Sequence, residues 1–149
     1  MTFKTSSEIE NYIKSKMLSS IKMMQERIYQ IINRFVKEYY SEWSPDMYDR
    51  TYQLYRSLVK SEIKPTKNGY EAYVYFDIDA LDYAMKHLNG KTVSNTGYSE
   101  EKTLEAAAHG SHGGFKSGTA IWDEPIKLLT KNGYNMLKQM LVSNGIPVK

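Results

Sequence analysis

Two histidines three residues apart, in the run His109-Gly-Ser-His112-Gly-Gly, are the sharpest local candidates for chemistry in this chain. Neutral imidazole is the commonest nitrogen ligand for zinc and related ions, so the pair could hold a metal if a loop brought in His87 or a carboxylate. A metal centre needs three or four ligands in fixed geometry, and the flanking glycines leave placement loose. A flexible polar loop is the plainer reading. Asp77, Asp79 and Asp82 form a second cluster that could attract a divalent cation. A calcium loop counted from Asp77 would need glycine at its sixth position and glutamate at its twelfth, where Asp82 and Leu88 stand. Capping of a following helix by Asp79 accounts for that cluster. Gly90-Lys91-Thr92 has the ending of a phosphate-binding loop, but the glycine required five residues earlier is Met85. Serines and histidines are present without a nucleophile elbow. No catalytic residue, metal or cofactor is expected, and the expectation is a protein that is not an enzyme.

A different constellation stands between Glu38 and Leu58. Tyr39, Tyr40, Trp43, Tyr48, Tyr52 and Tyr55 crowd around a Ser44-Pro45 break, with Arg50 and Arg56 as the cations among them. Stacked aromatic rings can form a platform for single-stranded nucleic acid. Without a surrounding basic cluster, the better reading is a corner between two helices, its rings packed and its hydroxyls near water. Tyr39, Tyr40, Trp43, Pro45, Tyr48, Arg50, Thr51 and Leu54 are the candidate residues for that corner or for a subunit contact.

The elements that must position these residues belong to an α+β chain read as one domain of 149 residues. Hydrophobic residues make up 41% and charged residues 25%, which is a globular composition. The absence of cysteine removes disulfides and thiolate chemistry. Twenty basic residues against 17 acidic ones give a net charge of +3, spread along the chain rather than gathered in a stripe. No signal peptide or membrane span is read, and a soluble intracellular product is expected.

Residues 1–43 read as a long helix from about Ser7 to Glu42. Ile9, Ile13, Met17, Ile21, Met24, Ile28, Ile31, Phe35 and Tyr39 recur every three or four residues, and Thr5 with Glu8, or Ser7 with Glu10, can cap it. Such a helix is roughly 50 Å long, against roughly 40 Å for the compact body of a chain this size, so it should overhang its own domain. Residues 44–89 read as a second helix from Pro45 to about Ser57, a β-hairpin and a short helix. In the hairpin, a strand through Val59, Ser61 and Ile63 turns over Lys64 to Gly69. It returns with Tyr70, Ala72, Val74, Phe76 and Ile78 on one face. The short helix is read from Asp79 through Leu88, closed by Asn89-Gly90. Residues 90–119 hold six glycines (Gly90, Gly97, Gly110, Gly113, Gly114 and Gly118) and read as a flexible loop interrupted by a helix near Glu100 to Ala108. Residues 120–149 read as a C-terminal helix capped by Asp123, broken or bent in two at Asn132-Gly133 and ended by Asn144-Gly145, with an extended tail. A lone hairpin is not stable. This one needs the helices or strands from other subunits.

The stretch Tyr39-Tyr40-x3-Ser44-Pro45-x2-Tyr48-x-Arg50-Thr51-x2-Leu54 resembles a segment of tailed-bacteriophage head–tail joining proteins, the tail-completion or neck proteins. The order of elements is similar too, as are Ile121-Trp122-Asp123-Glu124-Pro125 and Asn144-Gly145-Ile146-Pro147. The resemblance implies a structural virion component, assembled in the bacterial host cytoplasm as a homo-oligomeric ring. Its implied partners are further copies of itself and other phage neck and tail proteins. It implies no membrane partner, and nucleic acid only as DNA passing through a lumen. Tyr48, Arg50 and Thr51 would then fix the corner. The alternative is a small nucleic-acid-binding or regulatory helical protein using Lys14, Lys16, Lys22, Arg27 and Arg34, which do not form one clean stripe.

Overall fold

The computed structural model describes residues 2–42, 52–81, 85–88, 91–94, 99–111 and 118–148, with 85–88 and 91–94 described as backbone. Helix α1 runs from Ser6 to Ser41, which at about 1.5 Å per residue is a rod of roughly 54 Å. It starts where Thr5 Oγ1 accepts the Glu8 backbone N–H (3.2 Å) while the Glu8 carboxylate accepts the N–H of Lys4 (2.7 Å). One orphan donor of the first turn is thus satisfied by the cap, and the same glutamate ties back the residue before it.

Every other large element lies along this rod. Helix α4 (Asp123–Ser143) runs antiparallel to it, with Gly133 opposite Met24 and Gly145 opposite Tyr12. Buried Ser20 donates to the Lys16 carbonyl (2.9 Å) and stands 3.3 Å from the Met140 carbonyl, so two backbones approach closely across a small side chain. The expected break at Asn132-Gly133 does not occur. The helix stays continuous because packing along α1 outweighs glycine's cost of about 1 kcal/mol. It ends as expected: Gly145 takes φ +84°, its N–H donates to Val142 and that of Ile146 to Leu141. This is the paired terminal pattern that a left-handed glycine allows.

The hairpin lies on another side of α1. Strands β1 (Leu58–Lys60) and β4 (Val74–Phe76) pair antiparallel with Leu58 opposite Phe76, and β2 (Lys64–Thr66) pairs with β3 (Gly69–Glu71) with Lys64 opposite Glu71. Between the two ladders, residues 61–63 face residues 72–73, so one strand carries an extra residue. Ser61 N–H donates to the Tyr73 carbonyl (3.0 Å), and Tyr73 N–H donates to Ser61 Oγ (2.8 Å). Gln25 of α1 is buried and its Nε2 donates to the carbonyls of both Ser61 and Tyr73, each at 2.9 Å. The bulge is therefore clamped from the helix. Lys60 adds an edge contact, reaching Glu26 at 2.6 Å and the face of Tyr29 at 5.1 Å.

Three further expectations are corrected. The turn is tighter than Lys64 to Gly69, because Lys64–Thr66 and Gly69–Glu71 are themselves strands. The return strand ends at Phe76: Asp77, not Asp79, caps a 3-10 turn over Ile78–Ala80 by accepting the Asp79 N–H (3.2 Å), and Ile78 lies exposed. No helix runs on to Leu88. Strand β5 (Met85–Leu88) pairs with β6 (Lys91–Ser94), Leu88 opposite Lys91. Residues 85–88 are therefore extended rather than helical, and the expected helix stop at Asn89-Gly90 lies outside the described residues.

Helix α3 (Glu100–Ala108) matches its expected span, with Ser99 Oγ accepting the Lys102 N–H. The core gathers at one end, where Ile32 and Val36 of α1 meet Leu54, Leu58, Leu81, Ala107 and Ile121. The α1 C-terminal half, α2 (Gln53–Ser57), the β1–β4 ladder and α3 all supply it. We call this end the base, and the N-terminal end of α1, with the β2–β3 turn and the close of α4, the tip. Among the described residues no helix is long and apolar enough to cross a membrane.

Candidate functional site

The aromatic corner forms at the base. Tyr40 leaves the last turn of α1 half-buried. Tyr52 stacks on it (5.2 Å between ring centres, 27° between planes), and Tyr55 and Tyr39 meet it edge-on at 6.5 and 5.9 Å. Offset stacking and edge contacts are the arrangements the ring quadrupole favours. Leu54, two residues after Tyr52, is buried in the core. Tyr52 has φ +55° and precedes α2, so no helix continues from Pro45 to Ser57. A left-handed residue cannot belong to a right-handed helix. Trp43, Pro45, Tyr48, Arg50 and Thr51 lie outside the described residues. Of the eight corner candidates, Tyr39, Tyr40 and Leu54 are thus placed, and all three pack at the base.

Sequence reasoning missed the joints that tie this corner down. Tyr39 Oη donates to the Ser111 carbonyl at 2.9 Å, across 72 residues. Thr119 donates from its N–H (2.7 Å) and its hydroxyl to the Glu42 carboxylate just past α1. His109 Nδ1 and Asp123 Oδ2 are 2.8 Å apart, joining the end of α3 to the start of α4. Asp123 is therefore the first helical residue of α4 and makes this contact rather than capping the helix. Hydrogen bonding to Asp123, and then its charge, raises the His109 pKa above its ordinary value.

Two glycines of the glycine-rich region, Gly110 and Gly118, meet at the base. Gly110 takes φ +83°, Gly118 N–H donates to the Gly110 carbonyl at 2.6 Å, and a β-carbon on Gly110 would collide with the Gly118 carbonyl. Beside this joint lies an open cleft of about 480 Å³, with Phe35 and Ala120 in its wall and Glu38, Asp123, Glu124 and Lys127 around them. His109 faces the same cleft with its Nδ1 already engaged by Asp123. His112 lies outside the described residues, as do the side chain of His87 and the whole of Asp82. Among the described residues no group of three histidine, cysteine or carboxylate side chains is arranged to hold a metal ion.

A family model described as YomN matches residues 5–143, from the first turn of α1 to the last residue of α4. No curated protein and no solved structure matches the chain.

Proposed function

The chain belongs to the YomN family, a phage-derived family of the Bacillus prophage type, and from that premise we propose that it is a non-enzymatic structural component of a tailed-phage virion. We place it at the head–tail junction, as a neck, tail-completion or tail-terminator protein that joins the portal side of the capsid to the tail as a ring of identical copies. The observation that carries this reading is the mismatch between α1 and its core. The rod continues for more than half its length beyond the base, and Ile9, Ile13 and Leu18 stay 43%, 43% and 39% exposed there. A row of isoleucines at i and i+4 on a helix is built to be covered, and covering it with neighbouring copies is the economical solution in a repeated virion component. The stacked corner adds rigidity at the base, where an angle between elements must be held if subunits are to close on themselves.

The direct test is electron microscopy of particles from a phage carrying the gene and from one in which it is deleted. The expected result is a collar containing this chain at the head–tail junction, and filled heads beside free tails in the deletion. Normally joined particles without the chain would overturn the reading.

A further inference from the structure

The two ends of the molecule carry opposite charge as well as opposite packing. Around the tip, Lys4, Lys14, Lys16, Lys22, Lys64 and Lys67 outnumber the glutamates Glu8, Glu10, Glu62 and Glu71. Met17 lies 3.5 Å from the space above Gly69, which brings the β2–β3 turn and its lysines to this part of the rod. At the base the balance reverses among the described residues: Glu38, Glu42, Asp77, Asp79, Glu100, Glu101, Glu105, Asp123 and Glu124 exceed Arg34, Lys37, Arg56, Lys102 and Lys127, with Glu38 at the cleft opposed by Arg34 of its own helix. The tip also holds the uncovered isoleucines, whereas the base holds the open cleft with Phe35 and Ala120 in its wall and carboxylates on its rim.

From this complementarity we infer that the tip of one copy docks on the base cleft of the next. Ile9 and Ile13 face the apolar wall, and the flanking lysines face the acidic rim. The occupant is a second copy of this chain, so the inference builds on the assembly reading above and names its contact surfaces. A symmetric tip-to-tip pair would bring lysines against lysines, and like charges across an interface are repelled. A head-to-tail contact joins unlike ends. It closes into a ring if the rotation between copies closes, and otherwise runs on as a filament. The electrostatic part acts within a Debye length of roughly 8 Å at physiological salt, so association should weaken as salt rises.

The test is sedimentation of the full chain over a range of concentration and salt, with two charge-reversed variants. Lys14→Glu with Lys16→Glu reverses the tip, and Glu38→Lys with Glu124→Lys reverses the cleft rim. Circular dichroism verifies that each is folded. Each variant alone is expected to lose association by about tenfold or more, and an equimolar mixture of the two should recover it, because a negative tip then meets a positive rim. Ile13→Ser, which keeps the charges, should weaken self-association as well. A wild-type chain that stays monomeric, association indifferent to both reversals, or a mixture that recovers nothing would overturn the inference. So would duplex DNA binding abolished by the tip reversal in a chain that does not self-associate. A chain that sediments as inferred but is absent from the head–tail junction would overturn only the virion role. One found at the junction whose association ignores these charges would overturn only the docking mode.

Discussion

The base and tip of α1 draw on similar apolar side chains and are held by different forces. Around Ile32 and Val36 the helix is surrounded: β1, β4, α2, α3 and the approach to α4 all bring apolar groups, and both residues are almost fully buried. Around Ile9 and Ile13 the helix has fewer neighbours, and those side chains remain near water. Position along the tip half is set instead by polar contacts. Ser20 reaches the α4 backbone, Gln25 clamps the hairpin bulge, and Asn144 Nδ2 donates to Met23 Sδ at 3.3 Å. Burial therefore supplies stability at the base, whereas hydrogen bonds fix alignment toward the tip. A molecule built this way can expose one end to a partner without risking its own fold.

The strongest way to break this comparison is to delete equivalent side chains at the two ends. Ile32→Ala should cost about 2–5 kcal/mol, because it removes buried methyl groups and leaves a cavity. Ile13→Ala should stay within about 0.5 kcal/mol in the isolated chain, as exposed substitutions usually do. Urea denaturation of both variants, at a concentration where the chain is monomeric, measures the difference. Equal costs would show that the tip is as tightly packed as the base.

A second comparison uses glycines that perform the same local task at opposite ends. Gly110 and Gly145 both end helices in the left-handed conformation, at φ +83° and +84°. Gly145→Ala should cost about 1–2 kcal/mol from backbone strain alone, since its β-carbon would meet only the Tyr12 hydroxyl at 3.6 Å. Gly110→Ala should cost more, because its β-carbon would also drive into the Gly118 carbonyl and open the loop closure. Thermal unfolding of the two variants side by side checks the order. A larger loss at Gly145 would reverse the assignment of the rigid end.

Gln25 tests the polar half of the argument. Gln25→Ala leaves two carbonyls without their shared donor and should cost about 1–3 kcal/mol, with faster amide exchange concentrated at Ser61 and Tyr73. Gln25→Glu faces a carboxylate toward both carbonyls, which should raise its pKa above that of the unfolded chain. The sign then follows from linkage: the variant loses stability as pH rises above the ordinary carboxylate range. Unchanged exchange in the hairpin would mean that the ladders hold the bulge without help from α1.

Much of this contrast was legible in the residue pattern, and the failures share a cause. The bounds of α1 followed from its apolar period and the Thr5–Glu8 pair, and α3 fell on its expected residues. Length alone predicted an overhang for α1, whereas α4 and the β2–β3 turn accompany the rod as far as Tyr12 and Met17, and what stays near water is the row of Ile9 and Ile13. The bulge was invisible because residues 70–76 alternate regularly, and the extra residue sits on the partner strand. Gln25 did leave a trace, as a polar residue four positions after Ile21 inside the apolar stripe. Asn-Gly was read as a break or end of a helix at both Asn132-Gly133 and Asn144-Gly145, although the structure holds the first inside an unbroken helix and ends the helix only at the second. The dipeptide permits a left-handed turn, but pairing and packing elsewhere decide whether one forms. The joints Tyr39–Ser111, Glu42–Thr119 and His109–Asp123 link residues far apart in the chain, so no local spacing announces them.

The His109–Asp123 joint gives the smallest effect and the finest test of how the base is closed. The histidine pKa is raised in the folded chain, so the contact favours folding while the ring is protonated. Its contribution is complete below the unfolded value of about 6.5 and disappears as pH rises through the higher folded value. Because the pair is exposed to solvent, the effect should be a modest shift of the unfolding midpoint rather than loss of fold. Asp123→Asn should bring the imidazole titration, followed by NMR, back toward its ordinary position and flatten the stability difference between pH 5.5 and pH 8. Glu105, one turn before His109 on α3, adds a weaker charge attraction to the ring than Asp123 does, so Glu105→Gln should move the titration less than Asp123→Asn. If the two substitutions shift it equally, the general negative field of the base holds the proton, and the joint between α3 and α4 is not the specific contact that its 2.8 Å separation indicates.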